Sequence, residues 1–101
     1  MTQDTPLIAV SWGELIDKIT ILEIKRERLT DASALANVGR ELYAQSRIAD
    51  PVLADDETAR NLKARLKAMN EMLWEIEDRI RDKEAAGAFD AEFVELARSV
   101  Y

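Results

Sequence analysis

The most regular feature of the chain is a run of apolar residues in its second half, spaced alternately by four and three positions. The run comprises Leu62, Leu66, Met69, Leu73, Ile76 and Ile80. This heptad spacing predicts one long helix over residues 57–85 with an apolar seam, and Gly87 is a natural stop. At about 1.5 Å per residue the helix would be ~43 Å long, whereas a domain of this size is only ~30 Å across. Part of the helix should therefore extend beyond the rest of the domain, and its apolar seam requires a packing partner there.

A second amphipathic segment begins at Ser11. Ser11 and Glu14 have the spacing of a capping box, in which each side chain bonds the other residue's backbone N–H, so helix 1 is predicted over residues 12–29. One arc of its helical wheel carries the apolar residues Trp12, Leu15, Ile16, Ile19, Leu22 and Leu29. Ile21 and Ile24 fall outside this arc, among charged residues. Two bulky aliphatic side chains about one turn apart favour a second buried face over two scattered surface residues.

Two weaker patterns predict the remaining helices. Helix 2 is expected over residues 32–47, capped by Asp31 or the threonine before it. A loop should follow at Asp50-Pro51, because the residue before a proline is disfavoured in the helical conformation. Helix 4 is expected over residues 90–101. Together the four segments predict a single all-α domain over residues 1–101, an antiparallel bundle of three or four helices with the long heptad-patterned helix as its spine.

The composition excludes several classes of chemistry. The 101 residues include neither cysteine nor histidine, which removes disulfides, Cys nucleophiles, Ser–His–Asp triads and the usual zinc sites, and we expect no cofactor. The formal net charge of −6 argues against nucleic acid as a partner, because nucleic-acid binding requires a basic surface. No apolar stretch is long enough for membrane insertion and no signal peptide is evident, so we predict a cytoplasmic protein.

The acidic residues present one candidate metal site. Glu71, Glu75 and Asp78 share a face of helix 3, and Glu14 and Asp17 form a pair on helix 1. Two helices with such carboxylates resemble the magnesium sites of all-α nucleotide pyrophosphohydrolases. A charged stripe opposite an apolar seam is more often a solvated face. The pattern therefore favours a solvated surface, and a magnesium-dependent hydrolase of a nucleotide or sugar nucleotide is the alternative function.

The two tryptophans suggest a ligand cleft between helices 1 and 3. Trp12 opens helix 1, and Trp74 adjoins the seam of helix 3. A tryptophan beside a core most often packs over a neighbouring helix with one edge in water, although its ring also stacks on a sugar or a base. The candidate cleft residues are Trp12, Lys18, Asn70, Trp74, Glu77 and Arg81.

Several segments of the chain carry a family resemblance. Residues 10–25 read VSWGELIDKITILEIK, and further matching pieces lie within residues 35–42, 70–81 and 96–101. Together they resemble a bacterial family known only as a domain of unknown function, and the opening segment is similar to its signature. The resemblance covers most of the chain. It implies an association with surface-polysaccharide and glycosyl-transfer proteins, but no activity.

The charge pattern of helix 3 suggests how two copies would associate. Its beginning is basic, whereas residues 71–84 are net acidic, so antiparallel copies would place opposite charges side by side. We predict a homodimer whose interface comprises Ile21, Ile24, Leu66, Met69, Leu73, Ile76 and Ile80. The predicted function is a helical protein–protein interaction and oligomerisation module. The resemblance makes it accessory to a polysaccharide or glycosyl-transfer enzyme, which would be its protein partner.

Overall fold

The computed structural model describes residues 6–100, which form four helices and no strand. The helices are α1 (Trp12–Arg28), α2 (Ala32–Asp55), α3 (Glu57–Ala86) and α4 (Ala91–Ser99). They confirm the predicted all-α class and the order of the helices. Tyr101, the predicted end of helix 4, lies outside the described residues. No helix within residues 6–100 has an apolar stretch long enough to cross a bilayer.

Each helix begins at a residue whose side chain accepts a hydrogen bond from the backbone N–H three positions later. These caps are Ser11, Asp31, Asp56 and Asp90, with donor–acceptor distances of 3.1, 2.8, 3.0 and 2.9 Å. Each cap satisfies one of the N–H groups that a helix start leaves unpaired. At the end of α3, Gly87 adopts a left-handed φ of 69°, and the N–H of Ala88 bonds the carbonyl of Lys83 at 2.8 Å. The predicted starts of the first three helices and the glycine stop agree with these bounds, and helix 4 begins one residue later than predicted.

The predicted end of helix 2 is wrong. α2 continues past residue 47 to Asp55 and includes Pro51, where a loop was expected. Proline costs a helix one hydrogen bond because it lacks an N–H. Two gains offset that loss: Leu53 is buried in the core, and the guanidinium of Arg60 donates to the carbonyl oxygens of Leu53 and Ala54 at 2.6 and 3.0 Å. A side chain from α3 thus satisfies carbonyl groups at the end of α2.

The core lies mainly between α1 and α2. It comprises Leu15, Ile16, Ile19, Leu22, Val38, Leu42, Ala49 and Leu53. Leu29, Ala59 and Leu66 pack against it and are only partly buried. α1 packs on both α2 and α3, and α3 contacts all three other helices. The predicted apolar arc of α1 supplies half of the core.

The bundle is elongated because α3 extends beyond the α1–α2 pair. The radius of gyration is 16.8 Å, compared with about 13 Å for a compact chain of this length. None of the 30 residues of α3 is fully buried. Among the four helices, α4 contacts only α3, and Leu96 is its one buried residue. The predicted projection of the long helix is therefore observed, with α4 folded back along its far end.

Candidate functional site

The contact between α1 and α3 is built around three polar side chains. The Nδ2 group of Asn70 donates to Oδ1 of Asp17 at 2.8 Å and to Oγ1 of Thr20 at 2.9 Å. Thr20 is completely buried, and its hydroxyl donates to the backbone carbonyl of Asp17 at 2.7 Å. Buried polar groups are tolerated when they are hydrogen-bonded in this way, and such a network has a single good geometry. The cluster therefore fixes the position of α3 on α1.

Ion pairs extend this contact along both helices. Lys63 contacts Glu23 at 3.0 Å, and Lys67 contacts Glu27 at 2.8 Å. The hydrogen bond from Lys67 lowers the pKa of Glu27 below its ordinary value, and Glu27 in turn raises the pKa of Lys67. These pairs are partly exposed, so they contribute specificity of alignment more than stability.

The same pairs correct the charge argument for an antiparallel dimer. Lys63 and Lys67 belong to the basic beginning of α3, and their acidic partners lie on α1 of the same chain. Arg60 is occupied at the end of α2. Arg60, Lys63 and Lys67 thus make contacts within the single chain, which removes most of the reason to align α3 with the acidic half of a second copy.

The second buried face of α1 exists, but the chain itself covers much of it. Ile24 is only 1% exposed, and Ile21 is half-buried. The single chain thus already buries Ile24, which removes it from the surface that a dimer interface would use. Ile24 therefore packs in the interior of the single chain.

The apolar seam of α3 divides between the chain's own core and the surface. Leu66 packs against the core, and Ile76 and Ile80 are half-buried. By contrast, Met69 is 61% exposed and Leu73 is 36% exposed. Met72, 62% exposed, lies beside them, although the seam pattern did not include it. We call Met69, Met72 and Leu73, together with the exposed Leu62, the α3 stripe.

A groove of about 340 Å³ separates α1 from α3 next to the polar cluster. It is lined by Ile21, Ile24, Lys25, Asn70, Leu73, Trp74 and Glu77. Three of the six predicted cleft residues, Asn70, Trp74 and Glu77, therefore line one groove. Lys25 also lines it and was not among the predicted cleft residues.

The other three predicted cleft residues lie elsewhere. Trp12 is half-exposed at the start of α1. Lys18 lines a different groove, between α1 and α2. Arg81 pairs with Asp78 and faces the groove between α3 and α4. The predicted cleft is thus smaller than expected and lacks the first turns of α1.

The carboxylates of the magnesium hypothesis do not converge. Within residues 6–100, no group of three or more acidic side chains is placed to hold a metal ion. Asp17 is engaged by Asn70, Glu75 pairs with Arg28 at 3.2 Å and Asp78 pairs with Arg81. Glu14 is exposed and Glu71 is half-buried. Most of these carboxylates serve contacts within and between the helices.

Comparison with known proteins adds a family. No curated protein and no solved structure matches the chain. A family model described as "Family of unknown function (DUF6165)" matches residues 7–101. That range includes the polar cluster, the groove and the α3 stripe. The chain therefore belongs to the family of unknown function DUF6165.

Proposed function

We propose that this chain is a helical protein–protein interaction module that pairs with a second copy of itself through the α3 stripe. One observation carries the proposal: α3 runs for 30 residues without a fully buried residue, while Leu62, Met69, Met72 and Leu73 are exposed on it. A contiguous exposed apolar patch is typical of an interaction surface. Methionine is common on such surfaces because its side chain adapts to different neighbours.

The shape of the bundle supports the same proposal. α1 covers one side of α3 and α4 covers its far end, which leaves the stripe uncovered between them. A second α3 helix packed on this stripe would give each chain the helical neighbour that it lacks. Helices pack in this way when apolar positions recur every three or four residues; on the stripe, Met72 and Leu73 follow Met69 by three and four residues, and Leu62 lies about two turns before it.

The stripe supplies part of the free energy that a dimer requires. Complete burial of a Met or Leu side chain contributes about 1.5–3 kcal/mol, so the eight roughly half-exposed side chains from two copies would contribute about 6–12 kcal/mol before the cost of association. A micromolar dimer requires about 8 kcal/mol after the cost of association. The stripe would therefore form the centre of the interface, and flanking residues of α3 would complete it.

Sedimentation velocity over a range of concentrations tests this proposal. We expect the wild-type chain to sediment at twice the mass of one 11.4 kDa chain at high micromolar concentration. Met69→Glu should give folded monomers, because it buries a charge in the interface but lies at an exposed position of the single chain. Ala64→Glu, exposed on another side of α3, is the matched control and should remain dimeric. A wild-type monomer at every concentration refutes the dimer.

We infer in addition that the module is cytoplasmic and accessory to an enzyme of surface-polysaccharide synthesis or glycosyl transfer. The support for the accessory role is the family resemblance of the four sequence segments described above. The test is co-expression with a candidate glycosyltransferase, followed by an activity assay with and without this chain. An accessory role predicts a higher rate or yield of active enzyme with the wild-type chain than without it. Equal activity in both cases, with both proteins folded, refutes it.

A further inference from the structure

We propose that the groove between α1 and α3 binds a small zwitterionic molecule with a flat apolar body, the class that includes the aromatic amino acids. The groove has about 340 Å³ of space, within the range of about 300–1,000 Å³ that small-molecule sites occupy. It is distinct from the exposed α3 stripe, although Leu73 borders both. The site exists within a single chain and does not depend on the proposed dimer.

The floor of the groove matches a flat apolar group. Ile21, Leu73 and the half-buried ring of Trp74 supply its apolar surface. A tryptophan ring pairs favourably with another ring by offset stacking or edge-to-face contact. The groove is therefore suited to a planar group rather than to a long flexible chain.

Two unpaired charges flank this floor. Lys25 and Glu77 both line the groove, and neither forms an ion pair or a side-chain hydrogen bond with any residue in the described range 6–100. By contrast, Lys63 and Lys67 of α3 are engaged by acidic residues of α1. A lysine at one position and a glutamate at another complement a ligand that carries one negative and one positive group.

Asn70 adds a fixed hydrogen-bond acceptor. Its Nδ2 group is held by Asp17 and Thr20, which leaves Oδ1 without a donor in the described chain. Among residues 6–100, Gln45 Oε1 is the only buried side-chain nitrogen or oxygen that lacks a partner, so Oδ1 of Asn70 is open to water. Asn70 Oδ1 and the Glu77 carboxylate, about two turns apart on α3, are the acceptors in the groove for an ammonium group, and Lys25 is the donor for a carboxylate.

Other ligand classes fit these groups less well. A nucleotide brings only negative charge, which Glu77 would repel. A neutral sugar offers a ring face and hydroxyl groups but leaves the charges of Lys25 and Glu77 unmatched. An aromatic amino acid supplies one group for each feature of the groove.

Titration of the isotope-labelled chain, observed by NMR, tests the proposal. The probes are L-phenylalanine and L-tyrosine, compared with phenylpropionate, which lacks the ammonium group, and phenethylamine, which lacks the carboxylate. The indole N–H signal of Trp74 is identified by its persistence in Trp12→Phe, since the chain has two tryptophans. We expect saturable shifts of the Trp74 and Asn70 side-chain signals with the amino acids and binding about tenfold weaker with each truncated probe, the effect of losing a charged hydrogen bond.

Four variants locate the effect in the groove. Lys25→Met and Glu77→Gln should each weaken L-phenylalanine binding about tenfold. Lys18→Met, in the neighbouring groove, and Glu84→Gln, two turns farther along α3, should leave it unchanged. Met69→Glu should bind the probe as the wild type does, so the groove is tested separately from the dimer. No binding of either amino acid at millimolar concentration, or equal binding of all four probes, overturns the proposal.

Discussion

Replacing Asn70 by aspartate tests the contact between α1 and α3 most directly. The substitution keeps the shape of the side chain but exchanges the Nδ2 donor for a carboxylate oxygen. That oxygen would lie about where Nδ2 now contacts Asp17 Oδ1 at 2.8 Å and Thr20 Oγ1 at 2.9 Å. Asn70→Asp therefore removes the bond to Asp17 and brings two like charges together.

Asn70→Asp should lower the free energy of unfolding by a large fraction of the value typical of a small domain. The lost hydrogen bonds contribute about 2–4 kcal/mol, because one of them involves a charged acceptor. Two unit charges about 4 Å apart interact by about 4 kcal/mol at an effective dielectric constant of about 20. Since Asp17 and Asn70 are half-buried, water and salt screen part of this repulsion. We expect a total loss of about 4–6 kcal/mol at neutral pH, against a typical domain stability of about 5–15 kcal/mol.

The loss should depend on pH with a definite sign. Repulsion raises the pKa of the introduced carboxyl group in the folded state above its unfolded value of about 3.9. The folded variant then binds this proton more tightly than the unfolded variant does. Its stability relative to the wild type must therefore fall as pH rises through the acid range and recover as pH is lowered toward about 4.

Urea denaturation followed by circular dichroism at several pH values measures this effect. Asn70→Ala loses the same hydrogen bonds without adding charge, so its loss should be about 2–4 kcal/mol and nearly independent of pH. Asn61→Asp is the charge control, since Asn61 is exposed on α3, and it should change stability by less than about 0.5 kcal/mol. The polar cluster would not hold α3 on α1 if Asn70→Asp unfolded at the wild-type midpoint. A loss of equal size at every pH would show that the two carboxylates do not interact.

Three further predictions concern the cap, the core and α4. Ser11→Ala should lower the stability by about 1 kcal/mol in urea denaturation, because it removes the bond to the N–H of Glu14. Ile24→Lys should unfold the chain or cost at least about 3 kcal/mol, whereas Ile21→Lys, at a half-buried position, should leave a folded chain by circular dichroism. In acid, α4 should separate from α3. The hydrogen bond from the Phe93 N–H lowers the pKa of Asp90, and the hydrogen bond from Lys83 lowers the pKa of Glu92. Their stabilisation is present above the unfolded pKa values and disappears as pH falls through the folded ones, so hydrogen exchange in α4 should accelerate below about pH 4 before the core opens.

Each of these has a result that would contradict it. An unchanged midpoint for Ser11→Ala would place the start of α1 elsewhere. A stable Ile24→Lys variant would mean that this face of α1 is open to water. Simultaneous exchange of α4 and the core at acid pH would show that the pairs of Asp90 and Glu92 do not hold α4.

The features that the sequence predicted well depend on local signals. Helix starts follow from Ser, Asp and their spacing, and the stop of α3 follows from Gly87, because these groups act on the backbone within one turn. The predicted apolar arc of α1 also supplies half of the core residues. The end of α2 failed because its cause is not local. Arg60, from the next helix, bonds carbonyl groups at the end of α2, and no pattern around Pro51 indicates that contact.

The polar contact between α1 and α3 was missed for a different reason. Asp17, Thr20, Ile24 and Glu27 recur at spacings of three and four, which places them on one face of the helix. Ile24 is the only large apolar residue among them, so a search for apolar periodicity does not detect this face of α1. Its partners, Asn70 and the lysines of α3, are equally polar. A contact made through hydrogen bonds and ion pairs can be found in the sequence only by asking which polar residues share a helical spacing.

This polar contact has a consequence for how two copies would align. α1 packs on the polar side of α3, where it contacts Asn70, Lys63 and Lys67. Much of the α3 stripe is therefore left exposed to solvent. Lys63 and Lys67, which would have favoured an antiparallel dimer, are paired within the chain. The orientation of a dimer must then be set by how Met69, Met72 and Leu73 interlock with their copies, and methionine, which is unbranched, permits more than one register. Cross-linking through single cysteines placed at Leu62 distinguishes the two arrangements, because the chain has no cysteine of its own. A parallel dimer brings the two Leu62 positions together and gives a disulfide, whereas an antiparallel dimer centred on Met69 separates them by about 20 Å at the helical rise and gives none.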